Sequence, residues 1–580
     1  MTLLAIVVIS AVVLSLAYFT YGTLLTRLLE LDPQAETPAV TLRDDVDYAP
    51  IEPKFLLSQH FSAIAAAGPI VGPIVAGVAF GWLPAWLWIL FGSTLIGGVH
   101  DFTTLVASIR HNARSIAEVV RDQMSGRAYL LFLAFVWLSL VYIIVAFTDV
   151  TASAFIGTLE LDDGQKIEIL GGGVATSSLL YLALPIIMGL LLRYTRLSIT
   201  WATVIFLPLV GVAIWAGQKI PLDVEQLFHL DPYQAKRVWN VALLAYCFVA
   251  SVIPMWLLLQ PRGHLGGYFL YLALGGGMLG VLFGGGQVEY PEFTGWVSPK
   301  GDALFPMLFV LIACGACSGF HSVIASGTTS KQLRRETDAK LIGYGAMLLE
   351  AMVAVVSLCC VMKLSIGHKL IGKDPNYLYA VGVGDFLRVI GIPVAFGISF
   401  GLMAFTTFVY DTLDVCTRLG RYILEELTGR HDRVGRWGAT AVTAAVPLFF
   451  LLQPPTLDAS GNPLPAWKVF WSLFGASNQL LAALTLLGVT VWLWQTRRVW
   501  WVWLVTGIPA GLMYTMSTWA LVSIIQKKFA EGVTLDPVPW VAVVLIGLAA
   551  LMLAEAAWVI AGPRRERGDL RLEEGLRPEG

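Results

Sequence analysis

The sequence has 580 residues, 57% of them hydrophobic and 13% charged, with a mean hydropathy of +0.72 and a formal net charge of −2. Globular chains carry about 25% charged residues, so this composition excludes a water-soluble domain and defines a polytopic membrane protein; the near-neutral charge gives no basic surface for nucleic acid. The six cysteines (Cys247, Cys314, Cys317, Cys359, Cys360, Cys416) lie in or near apolar segments and form no secreted disulfide framework.

A span needs roughly 20 apolar residues. The first, Leu3 to Leu25, is too long for a signal-peptide core and lacks a basic lead-in, so it reads as a retained transmembrane helix. Fourteen more follow, at about 58–81, 84–109, 128–156, 177–193, 198–218, 239–260, 265–287, 303–327, 341–366, 384–410, 436–452, 467–494, 500–525 and 539–561. With the N-terminus outside and alternating spans, 26 of the 38 Lys and Arg fall in inside segments and 11 in outside ones. This bias supports an odd count, N-out and C-in. Tryptophan clusters such as Trp82-Trp86-Trp88 and Trp500-Trp501-Trp503 suit interfacial belts.

Span 58–81 contains AAAGPIVGPIVAG, Ala65 to Gly77, with Gly68-Pro69 and Gly72-Pro73 set in apolar sequence. Proline removes a helix hydrogen bond and clashes with the preceding turn. Irregular backbone at membrane depth survives only where protein covers it or it lines a cavity. The two dipeptides therefore predict a helix unwound near its middle, with backbone ligands at Gly68, Pro69, Gly72 and Pro73; a kinked helix packed by neighbours is the competing reading. Pro254 interrupts 239–260 in the same way.

Five spans, 58–218, begin with the first break, and five, 239–410, with the second; five is odd, so the halves have opposite topology. Interrupted helices at matching positions of inverted halves point to a secondary transporter's binding site. The predicted fold is thus an all-α polytopic membrane protein of about fifteen helices with a LeuT-type 5+5 inverted-repeat core. Around that core, 1–57 is a helix and inner loop, and 436–562 holds additional spans. Residues 411–435 read as a cytoplasmic amphipathic helix with Asp414–Arg418 as an i,i+4 pair, and 563–580 as a cytoplasmic tail.

Ionisable residues at membrane depth are expensive and usually functional. His100 and Asp101 come late in span 84–109. Adjacent helical positions point about 100° apart, which predicts partners on other helices; a proton relay and a structural pair both remain open. Span 303–327 carries Cys314, Cys317, Ser318, His321, Ser322 and Ser326. Cys314, Cys317 and His321 have zinc-ligand chemistry, but one helix offering three still needs a fourth from elsewhere, and buried cysteine usually behaves as a small hydrophobe; no resident metal is expected. The Ser318–Ser322–Ser326 face suits Na⁺, whereas His321 titrates near neutral pH and suits H⁺. Asp149 is placed on the substrate path. Glu350 has no local cation and predicts a partner on another helix. Asn478 and Gln479 predict helix bridging.

No HExxH or Walker A motif is present. Gly382-Val383-Gly384-Asp385 and Tyr410-Asp411 are like the motifs of intramembrane aspartyl proteases. Their order is reversed, and the two Asp are 26 residues apart along one predicted helix, too far for a dyad. An enzyme is not expected.

The segments AAAGPIVGPIVAG, WLWILFGSTLIGGVHDF, PMWLLLQPRG, CGACSGFHSVIASGTTSKQLRRETDAKLIGYGAMLLE, DTLDVCTRLGRYILEEL and FGASNQLLAALTL resemble, in order and over about residues 55–490, the carbon starvation protein A (CstA) family. The resemblance implies an inner-membrane transporter for peptides, or in some members pyruvate, linked to the carbon starvation response. Its general plan is similar to that of the amino acid–polyamine–cation superfamily. The expectation is a secondary active transporter coupled to H⁺ or Na⁺ by alternating access. Substrate would bind at Gly68, Pro69, Gly72, Pro73, Pro254 and Asp149, and ion coupling would use His321, Ser318, Ser322, Ser326, His100 and Asp101. A starvation sensor or a channel would keep the same fold. No cofactor is expected beyond the transported ion, and no partner beyond substrate and the lipid bilayer; helices outside the core could serve as scaffold or as a homo-oligomer surface.

Overall fold

The computed structural model describes residues 2–44, 48–162, 166–284, 286–430, 432–455, 464–530 and 536–562. The expected tail at 563–580 lies outside the described residues. In chain order the main helices are α1 (Leu3–Leu28), α2 (Pro53–Ile64), α3 (Gly68–Phe80), α4 (Trp82–Arg110), α5 (Gly126–Ser153), α6 (Gly171–Tyr194), α7 (Ile199–Lys219), α8 (Pro232–Val252) and α9 (Leu259–Gly284). There follow α10 (Leu304–Leu311), α11 (Ala313–Ala316), α12 (Phe320–Ile324, continued by a π-helical turn Ala325–Thr329), α13 (Glu336–Met362), α14 (Pro375–Val389), α15 (Val394–Thr428), α16 (Arg433–Leu451), α17 (Ala466–Arg497), α18 (Trp503–Ala530) and α19 (Pro537–Ala561). Among the described residues, 13 helices are long and apolar enough to cross a membrane, or up to 14 if the bent pair α2–α3 is one span. The fold is not purely helical. Thr158–Asp162 (β1) and Lys166–Leu170 (β2) pair antiparallel between α5 and α6.

Helices α13 and α17 are buried along nearly their whole length and form the centre. Helices α7, α16, α18 and α19 lie at the periphery and expose Trp201, Phe449, Trp519 and Trp558, respectively, as lipid-facing helices do.

The ends of the helices sort onto two faces. Arg110 pairs with Glu336 at 2.7 Å, Arg497 with Glu30 at 2.7 Å, and the Tyr129 hydroxyl donates to Glu426 at 3.0 Å. These residues come from segments that charge bias placed together, and they form the basic face. On the opposite face Lys236 pairs with Asp149, Lys468 with Asp374, and Lys363 with Asp385.

Five sequence expectations are corrected. The first interruption lies at Ala65–Ala67, immediately before the first Gly-Pro pair, with a bend of 47°. Proline is pre-organised for the first helical turn, so Pro69 starts α3 rather than breaking it. Pro254 does not divide a span: α8 stops at Val252, Ile253 is extended as the residue before a proline prefers, and Pro254 sits in the connection to α9. The second interruption is instead at 312–319, within the stretch read as one helix over 303–327. The stretch read as one span over 384–410 is two helices, α14 and α15, separated by a turn with Gly391 at φ 88° and Pro393 before the new helix. Lastly, 411–428 is no separate surface helix but the continuation of α15, which meets no breaker until Gly429 at φ 66° and is buried well past Asp414.

Candidate functional site

The two interrupted segments cross each other, and glycines set how closely. A Cβ on Gly68 would fall 2.2 Å from Cys314 Cβ, and one on Gly72 would fall 2.3 Å from the Leu311 carbonyl oxygen. Gly68 and Gly72 are four residues apart, one face of α3, so they form a small-xxx-small contact that brings two backbones together. From the other side Gly97 of α4, in a π-helical turn, approaches the Ala316 carbonyl; a Cβ there would be 2.2 Å away. Gly68 and Gly72 are therefore packing residues, and the backbone beside them is left with polar groups that helix bonds do not satisfy. Pro69 has no N–H for the Ala65 carbonyl, and Pro73 none for the Pro69 carbonyl. The Ala67 and Gly68 N–H groups at the start of α3 have no hydrogen-bond partner among the described residues.

The second interruption is held differently. Asn478 of α17 accepts from the Phe320 N–H at 2.9 Å through Oδ1, its carbonyl accepts from Gly319 N–H at 3.0 Å, and its Nδ2 donates to Ser318 Oγ at 3.0 Å. One asparagine thus caps α12. Gln479 Nε2 donates to the Phe309 carbonyl at 2.5 Å, tying α10 to the same helix. Both amides bridge helices, as expected. Ser322 Oγ bonds the Gly319 carbonyl at 2.6 Å and lies 3.1 Å from Thr485 Oγ1. Ser326 Oγ donates to the Ser322 carbonyl and accepts from the Ile116 N–H. The serine face is occupied by protein partners.

Beside the crossing lies a row of buried titratable groups. Asp101 Oδ1 is 2.7 Å from His100 Nδ1, and Asp101 Oδ2 is 2.8 Å from His321 Nδ1. His321 Nε2 faces Glu350 Oε2 at 3.3 Å, close enough for charge pairing but not aligned as a hydrogen bond. All four side chains are inaccessible to solvent. His100 and Asp101 do pair with each other, against the expectation from their 100° separation. Their Cβ directions diverge, but imidazole and carboxylate are long enough to close the gap where no water competes. The His321–Asp101 and His321–Glu350 contacts join α12 to α4 and α13.

This row has a proton count that chemistry restricts. Imidazolium donates from both ring nitrogens, whereas neutral imidazole presents one N–H and one lone pair. His321 faces a carboxylate on each side. Either it is doubly protonated, or one of the two carboxyl groups carries the proton. Each proton gained or lost changes the charge of a centre from which water is excluded, where charge matters most.

A second charged cluster lies nearer the basic face. Arg262 of α9 is fully buried. It pairs with Asp411 at 2.5 Å, with Asp414 and with the Tyr246 hydroxyl, and donates to the Tyr410 carbonyl at 3.0 Å. Ser62 of α2 donates to the other Asp411 oxygen. Asp414 thus pairs with Arg262 and not with Arg418, which donates to the Ala250 and Ile253 carbonyls at 2.7 Å each and closes the end of α8. Asp149 is held at 2.9 Å by Lys236 and accepts from the Trp467 N–H at 3.0 Å, capping α17 on the opposite face. Asp149 and Pro254 are not brought to the crossing.

Two cavities flank α12 and the turn that continues it toward the basic face, and the smaller is also lined by α2. One, about 230 Å³, is lined by residues including Tyr48, Arg114, Glu118, Ser326, Lys331 and Glu425. The other, about 40 Å³, is lined by His60, Gln59, Gln260, Thr328, Gln332 and Asp411 among others. Sequence reading passed over His60 and Arg262. A histidine within span 58–81 was itself a signal; Arg262, in the QPRGH stretch, read as a loop residue because the span was drawn to end before it.

Among the described residues no group of three or more His, Cys, Asp or Glu is arranged to hold a metal ion. Long apolar helices packed round two interrupted segments and a buried carboxylate–imidazole row define a multi-pass helical membrane protein with a polar centre sealed from lipid. The chain belongs to the carbon starvation protein CstA family, whose model matches residues 2–372 and 370–520. It is 31% identical to a Helicobacter pylori protein named peptide transporter CstA, over 91% of this chain and 83% of that one. It is also 31% identical to the Escherichia coli pyruvate/proton symporter BtsT, over 89% and 81%, and 30% identical to the Escherichia coli peptide transporter CstA, over 88% and 79%. Among solved structures, a manganese transporter of Eremococcus coleocola matches at a TM-score of 0.45 and 15% identity, covering 90% of this chain and 98% of that one. MhsT bound to L-phenylalanine matches at 0.42 and 12%, covering 87% and 98%.

Proposed function

We propose that the chain is a secondary active transporter that imports a small carboxylate-bearing solute, a peptide or pyruvate, together with protons. The observation that carries this reading is the Asp101 carboxylate held between His100 and His321, with Glu350 beyond, where the two interrupted helices cross. A row whose charge changes with each proton, placed on three separate helices, couples protonation to how those helices sit. The naming of one relative as a pyruvate/proton symporter supports the same ion. Sodium is disfavoured because Ser318, Ser322 and Ser326 already bond Asn478, Thr485 and backbone.

The carboxylate of the solute would meet the N–H groups of Ala67 and Gly68, where the dipole of α3 is positive. The corresponding end of α12 is closed by Asn478. A peptide C-terminus and pyruvate satisfy this geometry equally. The inverted repeats would begin at the two interruptions, with α6–α7 as an inserted hairpin in the first and fifteen spans in all. The basic face would be cytoplasmic, so the cavities beside α12 would be the release path in alternating access.

The test is uptake into proteoliposomes of labelled dialanine and labelled pyruvate, each under a pH gradient, a Na⁺ gradient or neither. Accumulation under the pH gradient alone is expected. Accumulation under Na⁺ alone would overturn the coupling assignment. No uptake of either solute by folded protein would favour a starvation sensor, and uptake indifferent to both gradients a channel.

A further inference from the structure

A third imidazole stands between the Asp101–His321 pair and the basic face. His60 is on α2, one turn before the interruption, and is buried. Its Nδ1 is 2.9 Å from Thr329 Oγ1 at the end of the turn that continues α12. Its Nε2 is buried and has no hydrogen-bond partner among the described residues. An unpartnered ring nitrogen in an interior costs stability and asks for a reason. Thr329 lies about two turns beyond His321 on the same element, and α2 packs against α12 there. On its other side His60 lines the cavity of about 40 Å³ with Gln59, Gln260, Gln332 and Asp411. One water needs about 10–15 Å³ and polar partners, so this cavity is large and polar enough for water.

We infer that His60 is the group through which the coupled proton leaves the Asp101–His321 pair toward the basic face. The inference rests on the proton-coupled reading above. In the tautomer that donates Nδ1–H to Thr329, the Nε2 lone pair is free to accept. An N–H bond of His321 breaks and that proton forms a new N–H bond at His60 Nε2, so His60 becomes an imidazolium and the Asp101–His321 pair loses one positive charge. The same proton then passes to water in the Gln59–Gln332 cavity, and His60 returns to neutral. The pair ends one proton poorer and the solvent one proton richer. Other charged groups on the helices packed against α2 are already engaged. Arg262 of α9 is paired with Asp411 and Asp414 of α15, His264 of α9 lies 3.2 Å from Ser58 Oγ and 2.7 Å from Thr203 Oγ1, and Glu350 of α13 faces His321.

The test compares two rates in proteoliposomes holding the full chain: net uptake driven by a pH gradient, and exchange of labelled for unlabelled solute at equal pH. The solute is dialanine or pyruvate, whichever the wild type accumulates. Exchange returns the carrier loaded, so it needs no proton release; net uptake does. His60→Gln keeps a donor for Thr329 but cannot relay a proton. Net uptake by H60Q is expected to fall at least about tenfold further than exchange, since positioned proton transfer is worth about 10²–10⁴ in rate. Imidazole added to the vesicle lumen is expected to restore part of the net uptake of His60→Ala. Gln332→Leu, which narrows the cavity without touching the bond to Thr329, is expected to show the same split in milder form, so the proposal stays testable should His60 variants fold poorly. Equal losses of both rates in H60Q, or no loss, would overturn the relay and leave the coupling reading intact. A wild type indifferent to the pH gradient would overturn the coupling reading itself, and the relay with it.

Discussion

Replacing Gly68 with alanine perturbs the crossing of the two interrupted helices at its tightest point. The new Cβ would lie 2.2 Å from Cys314 Cβ and 2.3 Å from its Sγ. Carbon contacts settle at about 3.5–4.0 Å, so α3 and α11 would have to part by more than about 1 Å. The strain has no easy outlet, because Cys314 is buried and α3 also packs on α13. Overpacking of this kind costs about 1–3 kcal/mol. The remedy is equally specific. Cys314 Cα would be 3.6 Å from the added Cβ, an ordinary contact. Cys314→Gly therefore relieves the clash, at a backbone cost of about 0.5–1 kcal/mol. Cys314→Ala keeps the atom at 2.2 Å and relieves little. The expected order of stability is wild type, then G68A/C314G, then G68A/C314A and G68A. It is read as the temperature at which half the detergent-solubilised protein is lost from the monodisperse peak, with uptake measured in parallel. A G68A protein that melts with the wild type, or a C314G change that gives no recovery, would refute the idea that a missing Cβ sets this crossing.

Arg262→Met leaves Asp411 and Asp414 facing each other without their cation and is expected to cost about 3–5 kcal/mol; adding Asp411→Asn and Asp414→Asn should recover most of it, and a stable single variant in thermal unfolding would argue against the pairing. Asp101→Asn is expected to abolish pH-gradient-driven accumulation, while Asp149→Asn, which loosens only the Lys236 and Trp467 contacts, should lower the melting temperature and leave the proton-to-solute ratio unchanged; a pH-sensitive dye in the vesicle lumen reads that ratio, and a D149N protein with altered coupling contradicts the assignment. Ile51 and Leu333 form an isolated parallel β-bridge just outside α2 and α12, so a disulfide between Ile51→Cys and Leu333→Cys should be compatible with transport. Bridging Ala63→Cys to Val415→Cys across the smaller cavity should block it, and the reverse pattern would mean that α2 and α12 move apart.

Much of this protein is legible in one dimension. A run of 20 apolar residues has few options in hydrocarbon, because every backbone group must be satisfied within the segment, so the long helices and their grouping on two faces follow from hydropathy and from the Lys and Arg positions. Ionisable residues inside such runs are rare enough that Asp101, His321 and Glu350 stand out as residues needing partners. Local turn chemistry was also present but was overrun by hydropathy: Gly391-Ile392-Pro393 marks a stop and a new start, and Pro254 closes α8 instead of breaking a span. What the chain alone left undecided is which residues meet. Proline reports only that a hydrogen bond is missing, and the tertiary structure placed the break at Ala65–Ala67 and made the Gly-Pro pairs a packing face for Leu311 and Cys314. Apolar composition hid the second interruption, since Ile312 to Gly319 reads as helix until Asn478, some 160 residues away, supplies the cap that lets the backbone turn. The partners of Arg262 and Asp414 and the position of His60 beside a polar cavity likewise depend on helices distant in sequence. Hydropathy is a property of each segment by itself; the pairing of buried charges is a property of the distances between segments, and only the packed bundle fixes those.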